Sequence, residues 1–544
     1  MAGGLFNLIS VGNANVILTG NPTKTFFKVA YCKYTNFGLQ KFRLDYEGTR
    51  DLRLTENSVF TFKIKRHADL LMDTYLVVSL PNVWSPIYHP CTETNQSWVP
   101  YEFRWIKDLG MQMIRSIEIN CGSVCIQKYT GEYLLAMMER DFNYDKKQLF
   151  HSMTGNVAEL NNPANAFGRQ NAYPSAFYTA EQVGAEPSIR ARKIYIPINT
   201  WFTLNSRCAF PLICLQYNEL TITVTLRPIQ ELFQVRDVFD PTYNYPYIQP
   251  DFTQEQFQMY RFLQTPPAVT IDVNAYTNTV KGWNADIHLL ATYCFLSNEE
   301  SRKFAREDQV YLVRDVQQYL FENVTGNSKV RLLNTSSMVS NWMFFLQRND
   351  VNMRNEWSNF TNWPYDSLPS NVVQRNFNSD LSGNVSLNTR NKTFYVSGTL
   401  TPYNQKEILV SMGILLEGDY RENVMEREVY DYVEKYVRTA SNAREGIYCY
   451  NFCLNTSPFE YQPSGAINMS KFKNIEFEIA THVPQRDLSN SFVNVLCDSD
   501  GNVVSVSSKQ AWQLFEYNYN FVLFEERYNI LSFVSGNCGM MYSR

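Results

Sequence analysis

Seven consecutive residues, Leu220 to Leu226, read LTITVTL, with Leu220, Ile222, Val224 and Leu226 alternating with Thr221, Thr223 and Thr225. Successive side chains of a strand point to opposite faces, so this period of two describes a strand with one face in a core and one in water. A helix would repeat its apolar residues every three or four positions. The same pattern returns where Phe60, Phe62 and Ile64 alternate with Thr61, Lys63 and Lys65, and where Ile475, Phe477 and Ile479 alternate with Asn474, Glu476 and Glu478. The spacing predicts an all-β, antiparallel chain of sandwich or barrel type. At 544 residues, 44% hydrophobic and 15% aromatic, the chain can fill more than one core, so two large sandwiches with long insertions fit its length.

Turn chemistry divides the pattern. Ile117 and Ile119, the pair Cys121-Gly122, and Val124 to Gln127 read as a hairpin, and Tyr75 to Leu80 is an apolar strand that stops at Pro81. Gly131 to Arg140 reads as a short helix with Leu134, Leu135 and Met138 inward. Residues 141–189 are rich in Asn, Ala, Pro and Tyr without a sustained period, so they are expected to form an elaborated functional loop or added subdomain within a first sandwich spanning 26–240. Pro241, Pro246, Pro250, Pro266 and Pro267 mark 241–268 as a linker, since proline denies a donor to a sheet ladder.

A second sandwich is expected over 269–535, opening with Val269, Ile271 and Val273, then a buried strand at His288 to Leu296. Ser297 with Glu300 forms a capping box for a helix through Phe304. Trp342 to Gln347 is a short apolar strand, and 349–391, rich in Asn, Ser and Trp, is a second insertion. In the helix expected at 424–440, Val429, Val433, Tyr436 and Val437 form an apolar stripe, with Glu434 and Arg438 paired on the wet side. Residues 498–502 read as a hairpin turn. Residues 521–527 look like extra length, which leaves the register of the last strand open, and 536–544 form a tail.

Around 448–479 two strands flank an elaborate turn containing Gln462-Pro463-Ser464-Gly465, followed by Asn468 and Ser470. This segment resembles the most recognisable stretch of the major capsid proteins of nucleocytoplasmic large DNA viruses. Other words agree, in the right order: Leu18-Thr19-Gly20-Asn21-Pro22, Phe26-Phe27-Lys28-Val29, Thr35-Asn36-Phe37, Phe210-Pro211-Leu212-Ile213, Arg302-Lys303-Phe304-Ala305 and Tyr311-Leu312-Val313. The resemblance implies two consecutive eight-stranded antiparallel jelly rolls in one chain, associating as a homotrimer whose pseudo-hexagonal capsomer builds an icosahedral shell. It further implies that capsomers meet one another and that the glycine-broken arm, residues 1–25, lies beneath against minor capsid proteins. Long insertions are expected to face outward. Synthesis and assembly are expected in the host cytoplasm, with the virion as destination.

The remaining residues weigh against other function classes. A formal net charge of −4 and basic clusters no larger than Lys63 to His67 or Arg190 to Lys193 give no footprint for nucleic acid. No apolar run reaches the roughly 18 residues of a membrane span, so no insertion is expected. The first charged side chain is Lys24, so the amino end lacks the basic flank of a secretory signal. Eleven cysteines without a Cys-x-x-Cys pair suit reduced thiols. Five scattered histidines supply no local metal motif, and phosphate loops and nucleophile elbows are missing from the sequence, so catalytic residues, cofactor and metal are all expected to be none. Asn-x-Ser/Thr triplets within the second insertion make Asn359, Asn384 and Asn391 the exposed glycosylation candidates. The alternative reading is a virion surface or lectin-like carbohydrate-binding jelly-roll protein, anchored on Trp357, Trp363 and Tyr365.

Overall fold

In the computed structural model of the chain, which describes residues 4, 12–48, 51–88, 99–170, 172–176, 186–239, 246–267, 276–333, 335, 337–366, 406–483, 494–497, 503–507 and 517–542, the alternating segments pair into two β-sandwiches. In the first, one sheet runs Ser58–Lys63, Leu220–Leu226, Ile114–Cys121, Val124–Tyr129. Leu220, Ile222, Val224 and Leu226 are buried while the intervening threonines stay half-buried, as the period of two requires. The facing sheet runs Phe37–Leu44, His288–Leu296, Leu70–Leu80, with Arg192–Pro197 and Phe210–Pro211 on the far edge of Leu70–Leu80.

His288–Leu296 therefore does not open the second sandwich. It sits in the middle of the first sandwich's sheet, Leu289 against Leu44 on one side and Leu76 on the other. Both of its edges find backbone partners there, antiparallel to Phe37–Leu44 and to Leu70–Leu80. The proline-rich stretch is likewise no free tether. Tyr247–Ile248 pairs with Phe233–Arg236, and Phe257, Met259 and Phe262 are buried in the first core. Val269, Ile271 and Val273 lie outside the described residues.

The second sandwich packs a six-stranded sheet on a five-stranded one. The first is ordered Gln309–Val324, Tyr519–Val534, Met338–Arg348, Ile447–Asn451, with Ile467–Asn468 and Asn537–Met540 at its margins. The second is ordered Asn327–Leu332, Ile475–Thr481, Leu409–Leu416, Asp419–Tyr420, with Met425–Glu426 also on Leu409–Leu416. The segment that looked like extra length, 521–527, is the middle of a continuous sixteen-residue strand, Tyr519–Val534, paired on both sides. Asn494–Cys497 and Val503–Ser507 pair as expected, and the turn between them lies outside the described residues.

Two strands of the six-stranded sheet are buried on both faces. Trp342, Phe344, Leu346, Phe521 and Leu523 enter the second sandwich's own core, while Met343, Phe345, Val522 and Phe524 join the core of the first. Each such side chain withdrawn from water contributes about 1.5–3 kcal/mol, so the sandwiches share a hydrophobic interior instead of touching across a wet seam.

The helix expected over 424–440 is shorter and turned over. It comprises a π-helical turn, Val429–Val433, followed by Glu434–Arg438. Tyr430, Asp431 and Lys435 face inward, with Lys435 paired to Asp431 and the Tyr430 hydroxyl donating to Met412 O at 2.9 Å. Val433, Tyr436 and Val437 face solvent, Tyr436 at 91% exposure. The π turn adds a residue to one helical turn and rotates the register, while a buried ion pair takes the positions that hydrophobicity alone would give to valine. Glu434, expected in water, accepts from Asn451 Nδ2 at 2.9 Å.

Candidate functional site: the joint between the sandwiches

Gly131 and Thr130 start the helix that enters the joint. Thr130 accepts from the Tyr133 amide at 3.4 Å as its N-cap. A Cβ on Gly131 would lie 1.9 Å from Met111 O, so only glycine lets the helix approach the first sandwich this closely. The helix, Gly131–Asp141, runs beneath the second sandwich and is buried on nearly all sides. Its last turn delivers Glu139, Arg140 and Asp141 into two charge clusters.

In the first cluster the fully buried Arg140 guanidinium donates to Asp141 Oδ2 at 2.7 and 2.9 Å, to Asn341 Oδ1 at 2.8 Å and to Glu526 Oε1 at 2.9 Å. Glu526 also accepts from the Tyr133 hydroxyl at 3.0 Å and from Asn341 Nδ2 at 2.9 Å. Burial pushes the Glu526 carboxyl up, but Arg140, Arg314 and these hydrogen bonds outweigh it and leave it below its ordinary value. For Asp141 burial prevails over Arg140 and holds the carboxyl above its ordinary value, with the Thr456 hydroxyl donating to it at 2.6 Å.

In the second cluster Arg444, from the second sandwich, donates to Asp108 at 2.8 and 3.1 Å and to Glu139 at 2.7 and 3.1 Å, both from the first. Lys147 stands 3.2 Å from the other Glu139 oxygen. Asp108 and Glu139 are raised by burial and lowered further by Arg444, ending below ordinary carboxylates.

The segment after Met338–Arg348 is a third bond across the joint. Asn355 Nδ2 donates to Gln230 O at 2.7 Å and Phe233 O at 2.8 Å, and the Trp357 indole donates to Glu231 O at 3.0 Å beneath the Arg227 guanidinium. Residues 349–366 of the second insertion therefore do not face outward. Asn359 is 1% exposed, its side chain accepting from Thr361 and donating to Trp363 O, so it is no glycan acceptor in the folded chain. Asn384 and Asn391 lie outside the described residues. Nor are Trp357, Trp363 and Tyr365 sugar anchors: Tyr365 is wholly buried with its hydroxyl on Tyr247 O, and Trp357 and Trp363 are half-buried under cations. An Asn-, Ser- and Trp-rich composition signals a loop, but its amides here satisfy backbone groups inside the joint.

Gln462, Pro463, Ser464 and Gly465 form the turn that braces this joint from one side. Ser464 Oγ accepts from Asn455 N and donates to Asn455 O, both at 2.9 Å. Gly465 has φ +132°, and a Cβ there would lie 3.2 Å from Phe452 O. The braced loop carries Thr456 and Ser457, whose carbonyls accept from Arg314 at 2.7 and 2.9 Å. Sequence reasoning found this turn and missed the charges. The available signals were Glu525-Glu526-Arg527 in the middle of an apolar strand and Glu139-Arg140-Asp141 ending an apolar helix.

The charges here are spent on one another. Among the described residues no three of His, Cys, Asp and Glu gather in a way that could hold a metal ion. The arrangement fixes two bodies in one relative position, which is a mechanical task.

Comparison with known proteins points to one family. A family model for the N-terminus of major capsid proteins matches residues 25–289, and one for the large eukaryotic DNA virus major capsid protein matches residues 300–539. The chain is 23% identical to the major capsid protein of Phaeocystis pouchetii virus over 593 residues and 25% identical to that of Paramecium bursaria Chlorella virus 1 over 551, each match covering all of both chains. Its fold superposes on VP54 of PBCV-1 with a TM-score of 0.61 at 17% identity, covering 96% of this chain and 100% of that one. With the Faustovirus major capsid protein the TM-score is 0.58 at 13% identity, covering 97% and 98%. These relatives are structural proteins of the virion and not enzymes, and the neighbours are double jelly rolls. With two family models spanning nearly its whole length and the two jelly rolls in place, the chain belongs to the major capsid proteins of large eukaryotic DNA viruses.

Proposed function

We propose that this capsid protein assembles as a homotrimer, a pseudo-hexagonal capsomer that tiles the icosahedral shell of a large DNA virus. The observation that carries this reading is the shared interior: Met343, Phe345, Val522 and Phe524 of the second sandwich lie in the first core, which joins the two sandwiches into one two-lobed body. Three such bodies related by a closed threefold present six similar lobes, and six lobes pack into a near-hexagonal lattice. Neighbouring capsomers are the next partners. The arm, residues 1–25, supports a role beneath the shell, against minor capsid proteins: its Ile17 and Leu18, together with Phe26, Phe27 and Val29 just beyond it, are between 85% and 99% exposed in the single chain, an apolar surface that calls for a cover. Basic residues form no stripe for DNA, and no described helix is long and apolar enough to cross a membrane. Synthesis and assembly belong to the host cytoplasm in this reading, before incorporation into the virion. Light scattering and negative-stain imaging of the purified protein test it: a trimer mass with six-lobed outlines is expected, and a stable monomer at micromolar concentration would overturn it.

A further inference from the structure

The last strand of the chain, Asn537–Met540, folds back on Tyr519–Val534 and lies against the first sandwich. The Gln216 amide donates to Gly536 O at 3.0 Å, and Asn218 Nδ2 to Asn537 Oδ1 at 3.4 Å. Through this contact Cys538, in the second sandwich, meets Cys121, at the end of strand Ile114–Cys121 in the first. Both thiols are free, both side chains are buried in the shared core, and they are hydrogen-bonded to each other.

We propose that Cys121 and Cys538 form a redox clasp, closing into an intramolecular disulfide that ties the carboxyl-terminal strand to the first sandwich when the protein meets a small-molecule disulfide oxidant. The thiolate of Cys121 attacks one sulfur of oxidised glutathione and expels a glutathione thiolate. Cys538, after losing its proton, attacks the resulting mixed disulfide at the Cys121 sulfur and expels the second. Two protein thiols are oxidised, one glutathione disulfide is reduced to two thiols, and no other reactant is needed. The hydrogen bond from Cys538, aided by Arg66, holds the Cys121 thiol below its ordinary value against the effect of burial, while the same bond and burial raise Cys538. With the final strand lifted and the Cys538 bond broken, Arg66 still stands beside Cys121 and favours it as the first nucleophile.

The oxidant cannot reach a thiol sealed in the core, so the final strand must first lift. It is held by four register pairs, Leu531 to Met540 through Val534 to Asn537. A short strand with so few backbone pairs opens locally at lower cost than the long strands of the core. Once closed, the bond spans the chain from residue 121 to residue 538 and crosses between the sandwiches, where a cross-link restrains the unfolded chain most. A particle passing from a reducing to an oxidising compartment would be locked by it.

The test uses the full-length assembled protein, incubated with oxidised glutathione under native conditions, alkylated, digested without reductant and analysed by mass spectrometry. The expected result is a linked peptide pair containing Cys121 and Cys538, a faster-migrating single-chain band on a non-reducing gel, and a melting temperature raised by several degrees, all reversed by dithiothreitol. Cys121→Ser and Cys538→Ser should each abolish the linked pair and the rise, whereas Cys125→Ser should keep both. Recovery of Cys121 and Cys538 as separate alkylated or glutathionylated peptides would overturn the proposal. So would a linked pair that forms only in denaturant.

Discussion

Glu525 and Glu526 are neighbours on one strand, both buried, and their surroundings are opposite. Glu526 points into the joint, where Arg140 compensates it and its carboxyl sits below the ordinary range. Glu525 points into the second sandwich's own core, where Trp342 Nε1 donates to it at 2.9 Å, and burial pushes its carboxyl up to about 7. The contrast shows what a strand with two buried faces can tolerate: a charge survives where another body brings a cation, and otherwise becomes a proton-holding hydrogen-bond partner. The joint thus uses ions to fix a position, and the core uses apolar volume to fix a shape.

The largest effect should come from removing the cation. Arg140→Met leaves Glu526 and Asp141 buried without their partner and should destabilise the chain by about 3–5 kcal/mol in denaturant titration. Arg140→Met combined with Glu526→Gln and Asp141→Asn should recover much of that loss. A single-variant loss under about 1 kcal/mol would mean that the cluster is no more than a surface pair. Phe345→Ala and Phe344→Ala should each cost about 3–4 kcal/mol. They sharpen the comparison, because Phe345 fills the shared interior and Phe344 the second core alone. Hydrogen exchange should show Phe345→Ala loosening both sandwiches and Phe344→Ala the second.

Glu525 gives the comparison a pH signature. Its folded-state value of about 7 lies above the unfolded value near 4.5, so the native state binds the extra proton between them. The stability it contributes is whole below about 4.5 and is lost as pH rises through 7. Glu525→Gln keeps an acceptor for Trp342 and should be more stable than the parent at pH 8 by about 2–3 kcal/mol, with the difference vanishing near pH 4. Glu526, Asp108 and Glu139 act in the other direction. Their contribution is present above the unfolded carboxylate value and is lost as pH falls through their depressed ones. The smallest effect is at the brace: Ser464→Ala removes the hydrogen bonds that set the loop presenting Thr456 to Asp141, and should cost about 1 kcal/mol in the same titration.

The regularity of a strand was legible only where one of its faces is wet. Leu220–Leu226 and Ile475–Thr481 announce themselves because threonine or glutamate marks the solvent side. Trp342 to Leu346 is apolar throughout because both faces are buried, and that gives length without orientation. Tyr519–Val534 was obscured by Glu525-Glu526-Arg527, charges that burial by a second body makes tolerable. The place of His288–Leu296 in the first sheet was hidden for a different reason: pairing partners some 200 residues away leave no local trace. At 424–440 the amphipathic stripe pointed the wrong way because Asp431 and Lys435 neutralise each other indoors. The Gln462 to Gly465 turn was readable because proline and a positive-φ glycine are dictated by local geometry. The joint it braces was not, since its parts come from helix, strand and loop of both sandwiches.

The account depends on the two sandwiches being one cooperative body, and hydrogen exchange of the assembled protein across a denaturant series measures that directly. Peptides from Leu220–Leu226 in the first sandwich and Ile475–Thr481 in the second should lose protection at a common midpoint. Two midpoints, with one sandwich exchanging while the other stays protected, would contradict it.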